Sequence, residues 1–292
     1  MTLLRLIKFI VTHPLNRSAP ARALSRFARW QMAYRLLPHP VALPFVNKTS
    51  LVTERNMTGA TGNWYCGLHE VDEMGFVLHM LRPADLFMDV GANVGSYTVL
   101  AAGAVGASVI AVEPLPSTFS KLQANIIYNM LSDNVDAQCC GLSSIEGELV
   151  FTSGLDTMNR IALPDEMLPT VSVPVHTLDQ ICAGRVPRVI KIDVEGHELA
   201  ILEGGRQTLA SPDLEAVLME TNDSGAKYGI IDNSLMEAMG RLGFTACAYN
   251  ALTRKINPAG KGAYNTIFVR DLPMTQLRCE AAPRYSLVNG SI

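Results

Sequence analysis

Acidic residues close four apolar runs of this chain. Asp89 lies in Leu86-Phe87-Met88-Asp89-Val90, Glu113 follows Val109-Ile110-Ala111-Val112, Asp193 follows Val189-Ile190-Lys191-Ile192, and Glu220 ends the run over residues 214–220. Apolar runs this short, bounded by turn residues, read as buried strands. Parallel strands would bring these carboxylates to one edge of a sheet, where sheets of that kind hold their ligands. There a carboxylate can accept hydrogen bonds from ligand hydroxyls or take a proton from a nucleophile. Asp193, Glu195 and Glu220 together could also offer oxygen ligands to a divalent cation. The alternative for Asp193 and Glu195 is plainer: both precede a helical pattern starting at His197, and either would serve as its cap.

Directly behind Asp89 comes the turn Gly91-Ala92-Asn93-Val94-Gly95, followed by a helical pattern over 97–104. A glycine turn between strand and helix lets a ligand approach the backbone and presents free N–H groups at the positive end of the helix dipole. A nucleotide-like ligand fits, and Glu113, 18 residues beyond Gly95, is spaced as a ribose-binding acid. A dinucleotide site would show Gly-x-Gly-x-x-Gly, whereas Gly91 and Gly95 stand four apart. Upstream, Tyr65, His69 and Glu70 follow a glycine-rich connection at 56–63. This segment is either a lid that brings His69 or Glu70 to the chemistry, or the polar start of a helix over 74–81.

Positioning these groups takes an alternation of strands at 86–90, 108–113, 135–140, 189–193 and 214–220 with helices at 96–104, 117–130, 197–209 and 234–242. Such alternation makes a parallel sheet covered by helices on both faces. Strands at 147–152 and 170–175, then a short helix at 177–181, interrupt it as an extra β arm. Strands near 244–249 and 265–270 form a hairpin-like pair at its end. The expected organisation is a basic helical extension with a lid segment over 1–84, an α/β domain over 85–270, and a tail over 271–292 without firm periodicity. A chain of 292 residues, 48% hydrophobic, has the length and apolar content for this core.

Charge is distributed unevenly. Residues 1–53 carry eight Lys or Arg and no acid, while the rest carries 16 basic against 27 acidic residues. Helices are expected at 1–13 and 20–37, separated by His13-Pro14 and Pro20 and stopped by Pro38 and Pro40. In the second, Arg22, Arg26 and Arg29 share a narrow face opposite Leu24, Phe27 and Tyr34. This arm either docks its apolar side on the domain or makes a peripheral contact with an anionic membrane. No apolar run reaches about 18 residues and no signal-peptide cleavage site follows the start, so neither a span nor a secretion signal is expected. Six cysteines without CxxC spacing, with Cys139 and Cys140 adjacent in an expected strand, fit a reducing, cytoplasmic location.

Four blocks in order, Asp89-Val90-Gly91-Ala92-Asn93-Val94-Gly95, Glu113-Pro114, Thr177-Leu178-Asp179 and Lys191-Ile192-Asp193-Val194-Glu195-Gly196-His197-Glu198, resemble the FkbM family of S-adenosylmethionine-dependent methyltransferases. The resemblance spans roughly residues 85–222. It implies a doubly wound α/β, Rossmann-like sheet of seven mostly parallel strands whose last hairpin is reversed, and S-adenosylmethionine as cofactor. By the same resemblance Asp89, Gly91, Asn93 and Gly95 would line the methionine part of the cofactor, Glu113 would bind the ribose hydroxyls, and Asp193 would stand beside the methyl group. The family usually has an acid after the segment that follows the third strand; here Ser144 follows Gly141-Leu142-Ser143, which leaves the adenine contacts open.

Candidates for the catalytic base, in order, are Asp193, Glu220 and His69, with His197 last because it begins a helical pattern expected to face away. No metal is assigned. The strand end Asp193-Val194-Glu195-Gly196 lacks the aromatic segment a flipped base would stack on, and the acidic core repels phosphates. These features disfavour a nucleic acid, and the family resemblance implies instead a hydroxyl of a sugar, glycolipid or secondary metabolite as acceptor, a small-molecule or glycan substrate. An NAD-dependent oxidoreductase and a non-catalytic cofactor-binding module are the alternatives.

Overall fold

A computed structural model describes residues 2–37, 39–154, 159–163, 167–221, 232–258 and 265–292, with residues 232 and 233 by backbone alone. Pro38 and part of the turn-rich stretch between the expected strands of the β arm lie outside the described residues. Helices α1 (Leu3–Thr12) and α2 (Pro20–Leu36) precede an antiparallel hairpin, β1 (Val41–Pro44) and β2 (Ser50–Thr53), and helices α3 (Thr58–Cys66) and α4 (Val71–Met80). The alternation then runs β3 (Leu86–Val90), α5 (Ser96–Val99) continued by a π turn over Leu100–Val105, β4 (Ser108–Val112), α6 (Pro116–Tyr128) and β5 (Val135–Gln138).

The interrupting arm is a separate three-stranded sheet of β6 (Gly141–Leu142), β7 (Gly147–Thr152) and β8 (Thr170–His176), ordered β6-β8-β7. Helix α7 (Leu178–Cys182) begins at Thr177, where the Thr177 and Gln180 side chains cap each other's backbone N–H groups. The alternation resumes with β9 (Val189–Ile192), α8 (Glu198–Gly204), α9 (Arg206–Ala210), β10 (Ala216–Glu220), α10 (Asp232–Arg241), β11 (Thr245–Asn250), β12 (Lys255–Asn257) and β13 (Asn265–Val269). Helix α11 (Leu272–Glu280) and the hairpin β14 (Ser286–Leu287), β15 (Gly290–Ser291) close the chain.

The main sheet is ordered β12-β11-β13-β10-β9-β3-β4-β5. β10, β9, β3, β4 and β5 are parallel neighbours, and β13 runs antiparallel between β10 and β11. The seven expected strands are present with the reversed hairpin; the eighth is β12, three residues on the free edge of β11. Alternation along the strands sorts the core onto two faces. Phe87, Val109, Val189 and Leu218 face α4, the α5 turn and α6, while Met88, Ile110, Ile190 and Met219 face α7 to α10.

Three local expectations change. The single helix over 197–209 is two, broken at Gly205, the weakest helix former short of proline. β5 stops at Gln138, so Cys139 and Cys140 lie beyond the strand, and all six cysteines are free. The tail is folded: Asp271 caps α11 through the Met274 N–H, and the Asn289 amide donates to the Leu15 and Cys66 carbonyls.

The basic face of α2 also departs from expectation. Arg22 and Arg29 are exposed, but Arg26 is buried and its guanidinium donates to the Trp64 and Tyr65 carbonyls at 3.0 and 2.8 Å and to Asn16 Oδ1 at 2.8 Å. Those carbonyls belong to the last turn of α3, where intrahelical donors run out, so Arg26 serves as the C-terminal cap of a neighbouring helix. The arm is docked on the domain, with Ala23 and Trp30 buried beside Arg26. Replacing Arg26 with Ala should lower stability by about 1–3 kcal/mol, the cost of leaving buried acceptors unpaired. Arg22→Ala should change it by less than about 0.5 kcal/mol; urea midpoints at constant m-value measure both.

Candidate active site

The chain runs from β3 outward through β4 to β5, then crosses to β9 on the other side of β3. A parallel sheet opens its ligand crevice at such a reversal, beyond the carboxyl ends of the strands. A cleft of ≈ 270 Å³ lies there, lined by Gly91, Asn93, Glu113, Asp193, Glu220 and His69 among others. Six of the eight expected site residues are therefore brought together.

The other two, Asp89 and Gly95, sit behind the lining. Asp89 shares the sheet face of Phe87, is fully buried, and accepts the Thr98 hydroxyl of α5 at 2.7 Å. It supports the floor of the cleft where direct contact with the methionine part was expected. Gly95 adopts φ +92° as the residue before α5, and a Cβ there would lie 2.6 Å from Leu122 of α6, so its bareness serves helix packing.

Gly91 has φ +73°, and a Cβ on it would fall 2.0 Å from the Asp193 carbonyl oxygen. Only glycine lets the turn after β3 meet the turn after β9 this closely. The Glu113 carboxylate joins two more turns: one oxygen accepts the Asn93 N–H at 2.9 Å and the other the Leu115 N–H at 3.1 Å. Burial pushes the Glu113 carboxyl up to about 7 against the pull of these two bonds.

At the centre stands a group to which sequence reasoning gave no role. Lys191 pairs in register with Asp89 across β9 and β3, and its ammonium is 3.1 Å from Asp193 Oδ2, 3.8 Å from Asp89 Oδ1 and 5.1 Å from the centre of the Tyr97 ring. Burial acts to discharge the ammonium, but Asp193, Asp89 and Glu70 outweigh it and hold its pKa above the ordinary lysine value. Burial raises the Asp89 carboxyl, with Lys191 opposing. The available signal was a lone lysine inside a central strand otherwise apolar.

His69 and Glu70 turn toward the cleft, and neither side chain caps α4. Glu70 accepts the Tyr97 hydroxyl at 2.6 Å, and His69, its ring edge on Phe9 at 5.3 Å, is kept below the ordinary histidine pKa by burial. Asp193, Glu195 and Glu220 have carboxylate oxygens within 4.8 Å of one another, close enough to share a cation, although Lys191 already balances the charge of Asp193. His197 lies outside the lining, 3.0 Å from the Ser143 hydroxyl. The opposite wall holds Leu115 and Phe151, the latter from β7 of the arm, and neither was anticipated.

A parallel sheet with one reversed strand, helices on both faces, and a glycine turn and acids at its switch point defines a Rossmann-like methyltransferase fold. The model of the methyltransferase FkbM domain matches residues 89–244, and the chain belongs to that family. S-adenosylmethionine is accordingly its cofactor, which sets aside the NAD-dependent reading. Hexuronic acid methyltransferase AglP of Haloferax volcanii is 31% identical over 156 residues, covering 49% of this chain and 59% of that protein. The 31-O-demethyl-FK506 methyltransferase FkbM of Streptomyces tacrolimicus is 28% identical over 206 residues, 58% of this chain and 75% of that one. A precorrin-6y C5,15-methyltransferase from Geobacter metallireducens matches with a TM-score of 0.43 at 12% identity, over 76% of this chain and 94% of that one. No helix among the described residues is long and apolar enough to cross a membrane.

Replacing Lys191 with Met would leave the buried Asp89 carboxylate without its counter-ion and facing the half-buried one of Asp193. Breaking a buried pair in this way costs about 3–5 kcal/mol. Without its ammonium the Asp89 carboxyl binds a proton in the folded state more tightly than in the unfolded one, so the variant should be most stable at low pH and lose stability as pH rises. Urea titrations at pH 5 and pH 8 should show the larger deficit at pH 8.

Proposed function

We propose that this chain transfers the methyl group of S-adenosylmethionine to a hydroxyl oxygen of a small-molecule or glycan acceptor. The observation that carries this reading is the convergence of Glu113, the Gly91 turn and Asp193 on one cleft at the switch point. The cofactor suits these residues. Glu113 spends one lone pair of each oxygen on a backbone N–H and keeps the remainder for ribose hydroxyls. Leu115 and Phe151 offer apolar surface to a flat base, and the turn over Gly91 and Asn93 lies next to the acids for the methionine part. When bound, the sulfonium supplies a methyl group already activated for transfer.

The chain's own contribution is placement. Holding an acceptor oxygen in line supplies about 7–11 kcal/mol of barrier reduction, against about 10²–10⁴ in rate for removing its proton. Asp193 is the first choice to orient the hydroxyl and take its proton, because Lys191 fixes its carboxylate and its backbone abuts Gly91. Glu220 and the uncharged His69 line the same end and follow it. The relatives are named for a hexuronic acid and for 31-O-demethyl-FK506, which supports small-molecule or glycan acceptors for this chain over nucleic acid. A glycolipid acceptor would put the exposed Arg22 and Arg29 near a membrane surface.

Cofactor hydroxyls donate to the ionised form of Glu113, whose pKa of about 7 in the free protein exceeds the carboxylate norm. The stability this raised value contributes is present at acid pH and fades as pH climbs to about 7, while cofactor affinity rises over the same window. Calorimetry from pH 5.5 to 8.5 should show S-adenosylmethionine binding more tightly as pH increases and NAD not binding; Glu113→Gln should weaken binding and flatten the profile. Asp193→Ala should lower transfer of a labelled methyl group by about 10²-fold or more, and undiminished transfer would remove Asp193 from the mechanism.

A further inference from the structure

A second cavity of ≈ 400 Å³ shares His69, Glu70, Asp193 and Glu220 with the cofactor cleft. The residues common to both are the ones nearest the expected point of methyl transfer. Most of its remaining lining is built elsewhere: Phe9, His13 and Pro14 come from the end of α1 and the turn after it, and Val71, Asp72 and Glu73 from the first turn of α4, with Asn265 of β13 beside them. All of these but Asn265 precede residue 89, where the family match begins. The cofactor cleft also takes residues from before the family match, Thr58 and Met74 among them, but of the residues before residue 89 the two cavities share only His69 and Glu70, and they meet at four side chains in all.

The chemical character of the second cavity is one-sided. Glu70, Asp72, Glu73, Asp193 and Glu220 line it, and no Lys or Arg does among the described residues. Glu70 already accepts from Tyr97 and Asp72 from the Ala251 N–H, yet each carboxylate keeps acceptor capacity for a ligand. His13 and His69, both depressed by burial, add no positive charge near neutral pH. Phe9 contributes an aromatic surface, packed edge-on against both histidine rings. Burial raises the Asp72 carboxyl and pushes that of Glu73 up to about 7, so these two can also donate to a ligand hydroxyl, and Lys191 pairs with Asp193 from behind. Hydroxyl groups satisfy such a lining, and with five carboxyl groups and no cation among the described residues lining it, a carboxylate or phosphate on the ligand finds no counter-charge there.

Building on the methyltransferase reading, we infer that this cavity is the acceptor subsite and that it selects an uncharged, hydroxyl-rich acceptor of the sugar-ring class over an anionic one. The carboxylates receive the acceptor's hydroxyls, Phe9 covers an apolar face of the ring, and the reacting oxygen is delivered at the shared residues. In this the chain departs from the relative named for a hexuronic acid.

The test uses the full chain with methyl-labelled S-adenosylmethionine and a pool of cellular glycans and hydroxylated metabolites, separated by ion exchange into uncharged, anionic and cationic fractions. Label should enter the uncharged fraction at least about tenfold more than either charged one, a preference of the size one well-placed polar contact supplies. Label mainly in the anionic or the cationic fraction overturns the assignment, as does absence of label from every fraction by protein that binds the cofactor. Failure to bind S-adenosylmethionine at all would instead strike the methyltransferase reading. Phe9→Ala and the isosteric Glu73→Gln should each raise the acceptor KM by about tenfold while leaving cofactor Kd within about twofold. An unchanged KM in both variants overturns the subsite.

Discussion

A lysine ammonium buried in the middle of a parallel sheet is costly, and the neighbourhood of Lys191 is organised around meeting that cost. Desolvation penalises the ion by several kcal/mol unless opposite charge and hydrogen bonds surround it. Asp89 faces it across the register of β3 and β9, Asp193 reaches back from the turn after β9, and the Tyr97 ring covers one side. Each partner is fixed in turn: Asp89 by the Thr98 hydroxyl, Tyr97 by Glu70, and the Asp193 backbone by its contact with Gly91. The glycine turn is thus required twice, for the approach of a ligand and for the approach of the strand end that carries Asp193.

Asp89 and Glu113 have opposite roles although both stand near the carboxyl ends of apolar strands. Asp89 lies under the surface and balances charge, whereas Glu113 reaches the cleft and joins the turns after β3 and β4 through Asn93 and Leu115. The difference follows from position in the alternation. Residue 89 falls within β3 on the Phe87 face, beneath α5, and residue 113 stands one position past the end of β4, where the chain is free to turn toward the ligand.

The central strands β3, β4, β9 and β10 were legible in the sequence because each is buried on both faces and reads as a nearly unbroken apolar run. Asp89 lies off the cleft lining, which its motif could not show, because a motif names the residues of a site without saying which of them reach its surface. Lys191 was passed over because it stood inside a quoted motif and its partner lies about a hundred residues away, a pairing only the register reveals. Arg26 read as a surface charge since its helix has a basic stripe, and only the packing of α2 on α3 turns that position inward. The folded tail was carried by an Asp271-x-Pro273 helix start too short to stand out from periodicity alone. Phe151 could not be foreseen from its own strand, because its place in the cleft depends on how the arm leans on the main sheet.

Tyr97 links the two halves of this design. Its ring lies against the Lys191 ammonium, and its hydroxyl donates to Glu70 on the segment that precedes the family-matched stretch. A fold can keep its cofactor chemistry constant while residues grafted around it change the acceptor, and function then resides in the joint between them. Here the buried Tyr97 side chain stands at that joint, beside the Asn63 amide that donates to the Ser96 hydroxyl. Any displacement of the Glu70 segment relieves or tightens the bond to Tyr97, and the face of Tyr97 is part of what stabilises the ammonium that orients Asp193. Under the proposed roles of Glu70 and Asp193, acceptor recognition and placement of the base are for that reason mechanically connected, through a contact that neither the glycine turn nor the strand-end acids supply by themselves.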